Sequence, residues 1–367
     1  MRIVHFSDIH LSAENYHELN NHFSEALIDQ LIELNLNKSI DLVIITGDLV
    51  DCGGKSLNTI MADEGVSSHF KLFEKLFINP ISEKVNINKN KFLFIPGNHD
   101  VDEEKINWLS EKRLIKDKIR FIDEKVNGTN FLNENLPDYK NSERIKEFKE
   151  FEKEYQKENI RDGNYRFTEN QSSFLYECDN KKIGFILIND SWLCKSTLFR
   201  GECKRIFFGH QQLYDGLKWL EEEGAKINFC LVHHSVDDYM EGDRVERFLK
   251  YKNVSVLFNG HYHKQQFENL SEEKDGYISF RVSAGLLKPD ENNEDYKPGF
   301  QIVDFDLWAN TISGFEYFIY DYDKCRMKTI TDQIGLDLSE PIKLPVKQVQ
   351  EKPEIGDGPD INDVYDL

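Results

Sequence analysis

A chain of 367 residues, 39% apolar and 12% aromatic, is long enough for one large domain or two small ones and can fill a core. Its formal charge of −20 argues against a generally basic surface that holds nucleic acid without regard to sequence, while leaving room for a local basic groove or for phosphates held through metal. No apolar run reaches the roughly 18 residues of a membrane span, nothing at the amino end reads as a signal peptide, and the six cysteines include no C-x-x-C pair; a reducing cytoplasm is the expected setting, with no membrane partner.

Residues 1–100 alternate strand and helix. The apolar run at 2–6 ends in Ser7-Asp8-Ile9-His10, and Leu19, Phe23, Leu27, Leu31 and Leu34 then recur at helical spacing. The strand at 42–45 leads into Thr46-Gly47-Asp48-Leu49-Val50-Asp51. A second helical pattern through Val66, Phe70, Phe73 and Phe77 precedes the strand at 92–95, which runs into Pro96-Gly97-Asn98-His99-Asp100. This alternation predicts right-handed crossovers and a largely parallel sheet whose carboxyl strand ends lie on one edge. Gly47, Gly97 and Gly260 are expected to allow the sharp turns that aim the residues beside them.

Residues 101–175, rich in Lys and Glu, read as a helical insertion with Ile145, Phe148, Phe151 and Tyr155 on one face, either a specificity cap or a solvated decoration. Alternation resumes at 183–188, ending in Asn189-Asp190-Ser191. A helix through Leu213, Leu217 and Leu220 precedes the strand at 229–232, which ends in His233-His234, and another helix precedes the strand at 254–258, which ends in Asn259-Gly260-His261-Tyr262-His263. From 277 onward the pattern is strand-rich and predicts a second sheet. The expected architecture is α/β, a two-layer β-sandwich flanked by helices, with residues 1–335 as one domain. Residues 336–367 are acidic and Pro-containing and read as a flexible tail; the tail and the insertion are the places for a protein partner.

Five apolar runs ending in Asp, Asn or His are hard to obtain by chance. Two divalent ions about 3.5–4 Å apart need a carboxylate to bridge them and a mixed nitrogen and oxygen set around them. Gly54-Lys55-Ser56 looks like the end of a phosphate-cradling loop, but Leu49 stands where that loop needs glycine.

Asp8-x-His10, Gly47-Asp48, Gly97-Asn98-His99-Asp100, His233-His234 and Gly260-His261-x-His263, in this order, resemble the calcineurin-like metallophosphoesterase superfamily over roughly residues 1–310. The resemblance implies the metallophosphoesterase fold and two divalent ions, manganese first, with iron, zinc, nickel or magnesium as alternatives. It implies that Asp8, His10 and His263 hold one ion, that Asn98, His233 and His261 hold the other, and that Asp48 bridges them. The nucleophile it implies is a metal-bridging hydroxide. His99 is then no ligand but stabilises or protonates the leaving oxygen, oriented by Asp51. His234 is expected behind the ligands or facing substrate, and Asp100 either supports its loop or is solvated. His5, His17, His22, His69 and His210 fall outside the motifs and read as structural or surface.

Gly47-Asp48-Leu49-Val50-Asp51-Cys52-Gly53 is similar to the protein serine/threonine phosphatase pattern, with three departures. Cys52 stands where those enzymes carry a phosphate-binding arginine, Asp100 replaces glutamate, and Ser7 replaces glycine before the first aspartate. Ser-Asp-x-His-Leu, Gly-Asp-Leu-Val-Asp and Pro-Gly-Asn-His-Asp look more like the class III cyclic-nucleotide phosphodiesterases and the double-strand-break-repair nucleases. The implied function is hydrolysis of phosphodiester bonds in a nucleotide or nucleic acid. One alternative is a phosphomonoesterase in which Arg200 or Arg205 supplies the missing cation; another is a non-catalytic scaffold or regulated subunit, as one retromer subunit is.

Overall fold

The computed structural model describes residues 1–19, 22–106, 143–194, 206, 208–239, 242–252, 254–261, 266–269, 277–281, 298–330 and 341–346. The first strands in the chain are β1 (Arg2–Phe6), β2 (Leu42–Thr46), β3 (Phe92–Ile95), β4 (Tyr165–Arg166), β5 (Ser172–Cys178), β6 (Lys181–Leu187) and β7 (Ile227–Leu231). They are followed by β8 (Val256–Asn259), β9 (Gln266–Asn269), β10 (Ile278–Arg281), β11 (Gly299–Asp306), β12 (Thr311–Asp321), β13 (Arg326–Thr329) and β14 (Ile342–Lys343).

These strands form two seven-stranded sheets. One runs β13-β12-β11-β1-β2-β3 with β14 on β12, and the other runs β4-β5-β6-β7-β8-β10-β9. Both are mixed. β1, β2 and β3 are parallel, as the strand–helix alternation predicts, but β11 to β13 add to β1 antiparallel. In the second sheet β6, β7, β8 and β10 are parallel.

Period-two alternation sorts the core, because successive strand residues point to opposite faces. Ile3, Ile44 and Leu93 face Phe185, Phe229 and Phe258 across the sandwich. Val4, Val43, Ile45 and Phe94 lie under Leu27, Leu31, Phe73 and Phe77 of the flanking helices. On the far side Ile186, Cys230 and Leu257 lie under Leu213 and Leu220 of the helix at His210–Glu222. With both faces covered, the parallel strands read as unbroken apolar runs. Among the described residues, no helix is long and apolar enough to cross a membrane.

Three expectations need correction. The strands after 277 do not make a sheet of their own: β10 joins β8, while β11 and β12 extend the amino-terminal sheet beside β1. The stretch read as a helical insertion through 175 turns into sheet at Tyr165. Its helix Lys146–Tyr155 is core rather than cap or decoration, with Phe148 and Phe151 buried and their rings 5.4 Å from Phe70 and 5.1 Å from Phe94. Residues 107–142 lie outside the described residues. The body also reaches further than 335, since β14 pairs with β12, Leu344 is buried, and Ser255 Oγ donates to Pro345 O at 2.7 Å. The tail beyond 346 lies outside the described residues.

His5 is structural, as expected. Gln301 Nε2 donates to its Nδ1 at 2.7 Å, so its Nε2 carries the proton that meets Thr46 Oγ1 at 2.8 Å, and burial pulls its pKa well below the usual imidazole value.

Candidate metal centre

The two sheets bring the carboxyl ends of β1, β2, β3, β7 and β8 to one place. Beyond β1 and β2 the chains go on pairing as a ladder. Asp8 N donates to Gly47 O at 3.0 Å, His10 N to Asp48 O at 2.8 Å and Leu11 N to Leu49 O at 3.0 Å. The two loops are therefore held as one unit. Asp8, His10, Asp48 and His261 all have positive φ, from 49° to 71°. Each such non-glycine residue costs of order 1–3 kcal/mol, a strain that gathers at functional sites and that the surrounding fold must impose.

Glycine serves two purposes here. Gly47, at φ +94°, makes a turn, and a Cβ on it would also lie 2.5 Å from His233 Nδ1. Gly97 and Gly260 are needed for space instead. A Cβ on Gly97 would press on the Asp48 backbone and carboxylate, and one on Gly260 on Ser7 and Asp8.

Asp48 Oδ2 lies between two imidazoles, 3.5 Å from His10 Nε2 and 3.2 Å from His233 Nε2. His233 Nε2 is also 3.0 Å from Asn98 Oδ1, and Asp8 Oδ1 is 3.9 Å from His10 Nε2. Donors bound to one ion at about 2.1 Å lie roughly 3.0–3.4 Å apart, so the two spacings at His233 already match a ligand shell and the two at His10 are wider. His233 Nδ1 donates to Thr46 O at 2.7 Å, which fixes the ring with Nε2 turned toward Asp48. Asp8 accepts the His261 backbone N–H at 3.0 and 3.2 Å. Two groups of donors within 4.8 Å of one another, Asp8–Asp48–His233 and His233–His234–His261, share His233. The structure thus gathers Asp8, His10, Asp48, Asn98, His233 and His261. His263 lies outside the described residues.

The electrostatics favour cations. Burial alone would raise the Asp48 pKa, yet the charges of His233 and His10 hold it well below the usual carboxylate range. Burial would likewise lower His233, but the charge and hydrogen bond of Asp48 push it up to about 9. His261, half-buried, is pushed down to about 2 by desolvation and by the charges of His234 and His233. Protons on imidazoles here balance buried carboxylates, and divalent ions would displace them. The donor set fits the two ions that the motifs imply.

His99 stands at the edge of this cluster, its ring 4.5 Å from that of His10, and it forms a donor group with His10 and Asp48. Its backbone N donates to Asp48 Oδ1 at 2.7 Å, its Nδ1 donates to Asp51 Oδ1 at 2.6 Å, and its side chain keeps 29% exposure. Hydrogen bonds from His10 and His99 hold the Asp51 carboxyl well below its usual range. Asp100 is buried, not solvated. It accepts from Gly97 N at 2.7 Å and Val50 N at 2.9 Å, bracing two ligand loops, and burial with the Asp48 charge pushes its pKa up to about 7.

His234 is buried behind the cluster, its ring 4.5 Å from that of His261. Its holder is Asp190, whose role the motifs do not reveal. Asp190 Oδ2 accepts from His234 N at 2.9 Å and Tyr239 OH at 2.7 Å and lies 3.2 Å from His234 Nδ1. The signal was present in the sequence, because β6 is another apolar run that ends in an aspartate.

The family model for calcineurin-like phosphoesterases matches residues 1–265. An uncharacterised metallophosphoesterase-like protein of Bacillus subtilis, YydB, is 21% identical over 331 residues, covering 88% of this chain and 60% of its own length. The DNA double-strand break repair protein Mre11 of Saccharolobus solfataricus is 30% identical over 122 residues, 32% of this chain and 28% of its own. This chain therefore spans less than two thirds of the length of either relative. A dimetal phosphatase from Danio rerio overlays 90% of this chain and 98% of its own, at 11% identity and a TM-score of 0.41. The family match takes in the Asp, Asn and His motifs through His263, the same strand ends that converge in space, and so the chain belongs to the calcineurin-like phosphoesterase family.

Proposed function

We propose that this metal-dependent phosphoesterase hydrolyses phosphodiester bonds in a nucleotide or nucleic acid. In this reading Asp8, His10 and His263 hold one ion, Asn98, His233 and His261 hold the other, and Asp48 bridges them. The position of Asp48 Oδ2 between two imidazoles supports that bridge. Bound there, two divalent ions, manganese foremost, supply Lewis acidity and an activated water nucleophile at neutral pH. The chain supplies the rest. Asp51 accepts the Nδ1–H of His99 and orients the ring, so that His99 in its doubly protonated form presents Nε2–H to stabilise or protonate the leaving oxygen. Asp190 and Tyr239 keep His234 packed against His261.

The observation that carries the diester reading is the residue at position 52. A site for a dianionic monoester gains from a further cation beside the metals, whereas Cys52 donates its thiol to Asp51 Oδ1 at 3.4 Å and brings no positive charge. A diester carries one negative charge fewer and depends more on the metals and His99. The alternative in which Arg200 or Arg205 supplies the cation falls on residues outside those described. Likeness to a protein of DNA double-strand break repair supports a nucleic-acid substrate, and the five described cysteines, all thiols, support a reducing compartment.

The test compares an activated aryl diester with the matching monoester on one manganese-loaded preparation. The diester is expected to show the higher kcat/KM. A monoester preference of about tenfold, equivalent to about 1.4 kcal/mol in transition-state binding, replaces the phosphodiesterase reading with a phosphatase.

A further inference from the structure

At the rim of the centre, outside the proposed ligand set, a further group of donors stands together: Asp51, Cys52 and His99 each offer one ligand atom, all within 4.8 Å of one another, and His99 also lies within that distance of His10 and Asp48. We propose that these three side chains form a separate site for a soft divalent cation of the zinc class, and that filling it switches turnover off.

The chemistry of the donors sets the class of ion. A thiolate with an imidazole and a carboxylate selects zinc-like cations, in contrast to the nitrogen and oxygen donors of the main centre. Around a tetrahedral zinc-like ion, sulfur, nitrogen and oxygen donors lie about 3.3–3.6 Å apart. Cys52 Sγ is already 3.4 Å from Asp51 Oδ1. The 2.6 Å between His99 Nδ1 and Asp51 Oδ1 is a hydrogen bond that opens by less than about 1 Å when the ion takes the place of its proton. Three protein donors leave a fourth position open. Binding is charge-balanced without any redox partner: the thiol gives its proton to solvent as the sulfur–metal bond forms.

The backbone holds the three donors in place. Cys52, Gly53 and Gly54 are consecutive residues with positive φ, at 49°, 65° and 78°. Gly53 N donates to His99 O at 2.7 Å and Gly54 N to Asp51 O at 2.8 Å, so the turn that carries the thiol is pinned to the residue carrying the imidazole. A Cβ on Gly53 would come within 2.9 Å of Asp102 Cα, which shows how closely this turn lies on the loop after His99. Cysteine in a left-handed conformation, where glycine would be free of strain, holds an exposed thiol beside His99.

Capture of the ion is a property of the three side chains alone. Its effect on turnover rests on the role proposed above for His99, which could not bind the ion through its ring and keep its hydrogen bond to Asp51. Two readouts separate these halves. Full-length protein, saturated with manganese, is titrated with cadmium as a spectroscopic stand-in for zinc, and the near-ultraviolet thiolate-to-cadmium absorption is followed. The expected result is one equivalent of absorbing complex in the wild type and in Cys325→Ser, which removes the other exposed thiol among the described residues. The band is lost in Cys52→Ser and in Cys52→Gly; the glycine variant suits the positive φ and covers the case in which serine disturbs the turn. His99→Ala is expected to weaken binding tenfold or more. A band that survives in both Cys52 variants, or equal affinity in His99→Ala, overturns the site. In the second readout, a small excess of zinc over the manganese-saturated enzyme is expected to lower turnover at least tenfold in the wild type and not in Cys52→Gly. Equal inhibition of both, with the cadmium band intact, overturns the switch and leaves exchange at the main centre as the cause. A wild type that hydrolyses no phosphoester refutes the functional reading, while the cadmium titration still decides the site.

Discussion

Replacing Gly97 with alanine separates two reasons for a glycine at a ligand loop. If Gly97 served backbone freedom, alanine would be tolerated, because its φ is not in the left-handed region. The structure gives another reason. An added Cβ would lie 2.7 Å from Asp48 Cγ and closer still to the Asp48 backbone nitrogen, which cannot rotate away as a side chain can. Asp48 has little room to retreat, since His10 N donates to its carbonyl at 2.8 Å and His99 N to its Oδ1 at 2.7 Å. Overpacking of this kind costs about 1–3 kcal/mol, and a lost hydrogen bond to a charged group about 1.5–3 kcal/mol; the two overlap, and a total of about 2–4 kcal/mol is expected. Gly65→Ala is the control. Gly65 closes the helix Asn58–Glu64 at φ +65° with nothing within 4 Å of an added Cβ, so alanine there costs only the left-handed strain, about 1 kcal/mol. Denaturant unfolding of the metal-free proteins gives both costs, and elemental analysis after reconstitution gives the metal content. A Gly97→Ala protein within about 0.5 kcal/mol of wild type, holding two equivalents of metal, would refute the argument from space.

Asp48→Asn is expected to lose more metal than any other single ligand change, because its Oδ2 lies between His10 and His233, the imidazoles proposed for the two ions; two full equivalents retained on elemental analysis sink the bridge. His99→Ala is expected to keep its metal and lower turnover by roughly 10²–10⁴, the range for a lost general acid, and an unchanged rate or a lost ion would remove His99 from that role. Deleting 347–367 is expected to leave the unfolding midpoint unchanged, whereas deleting 341–367 also removes β14 and the buried Leu344 and costs about 2–4 kcal/mol; equal midpoints for the two truncations would show that β14 contributes nothing.

The site was legible where local sequence and geometry say the same thing. A strand covered on both faces reads as an unbroken apolar run, and its end is marked by the first Asp or His, so Asp8, Asp48, Asn98, His233 and His261 could be placed at strand ends from the chain alone. Sheet membership was harder to read. β11 chooses its partner 300 residues away, through the register of Arg2 with Asp304 and the paired bonds of 2.9 and 2.8 Å between their side chains. The helix Lys146–Tyr155 read as a cap or a solvated decoration because its composition is charged, but Lys149 and Glu152 bury each other at 2.6 Å and let that face enter the core. β14 was hidden by neighbouring prolines, which are tolerated on a short edge strand. Asp190 was visible as a strand end, yet its work depends on Tyr239 and His234, which only the fold brings to it.

The place of β1 has a consequence for how the protein is made. This strand carries Asp8 and His10 at its tip and lies between β2 and β11. β2 leaves the ribosome soon after it, but β11 is about 300 residues downstream, a delay of roughly 15–60 s at ordinary rates of elongation. Until β11 emerges, one edge of a central strand that the fold buries along its whole length has no hydrogen-bonding neighbour, and such an edge is a template for joining other nascent chains. The strand that carries the first of the proposed ligands thus waits longest for its second neighbour, and the growing chain depends on protection of that edge until the antiparallel strands arrive.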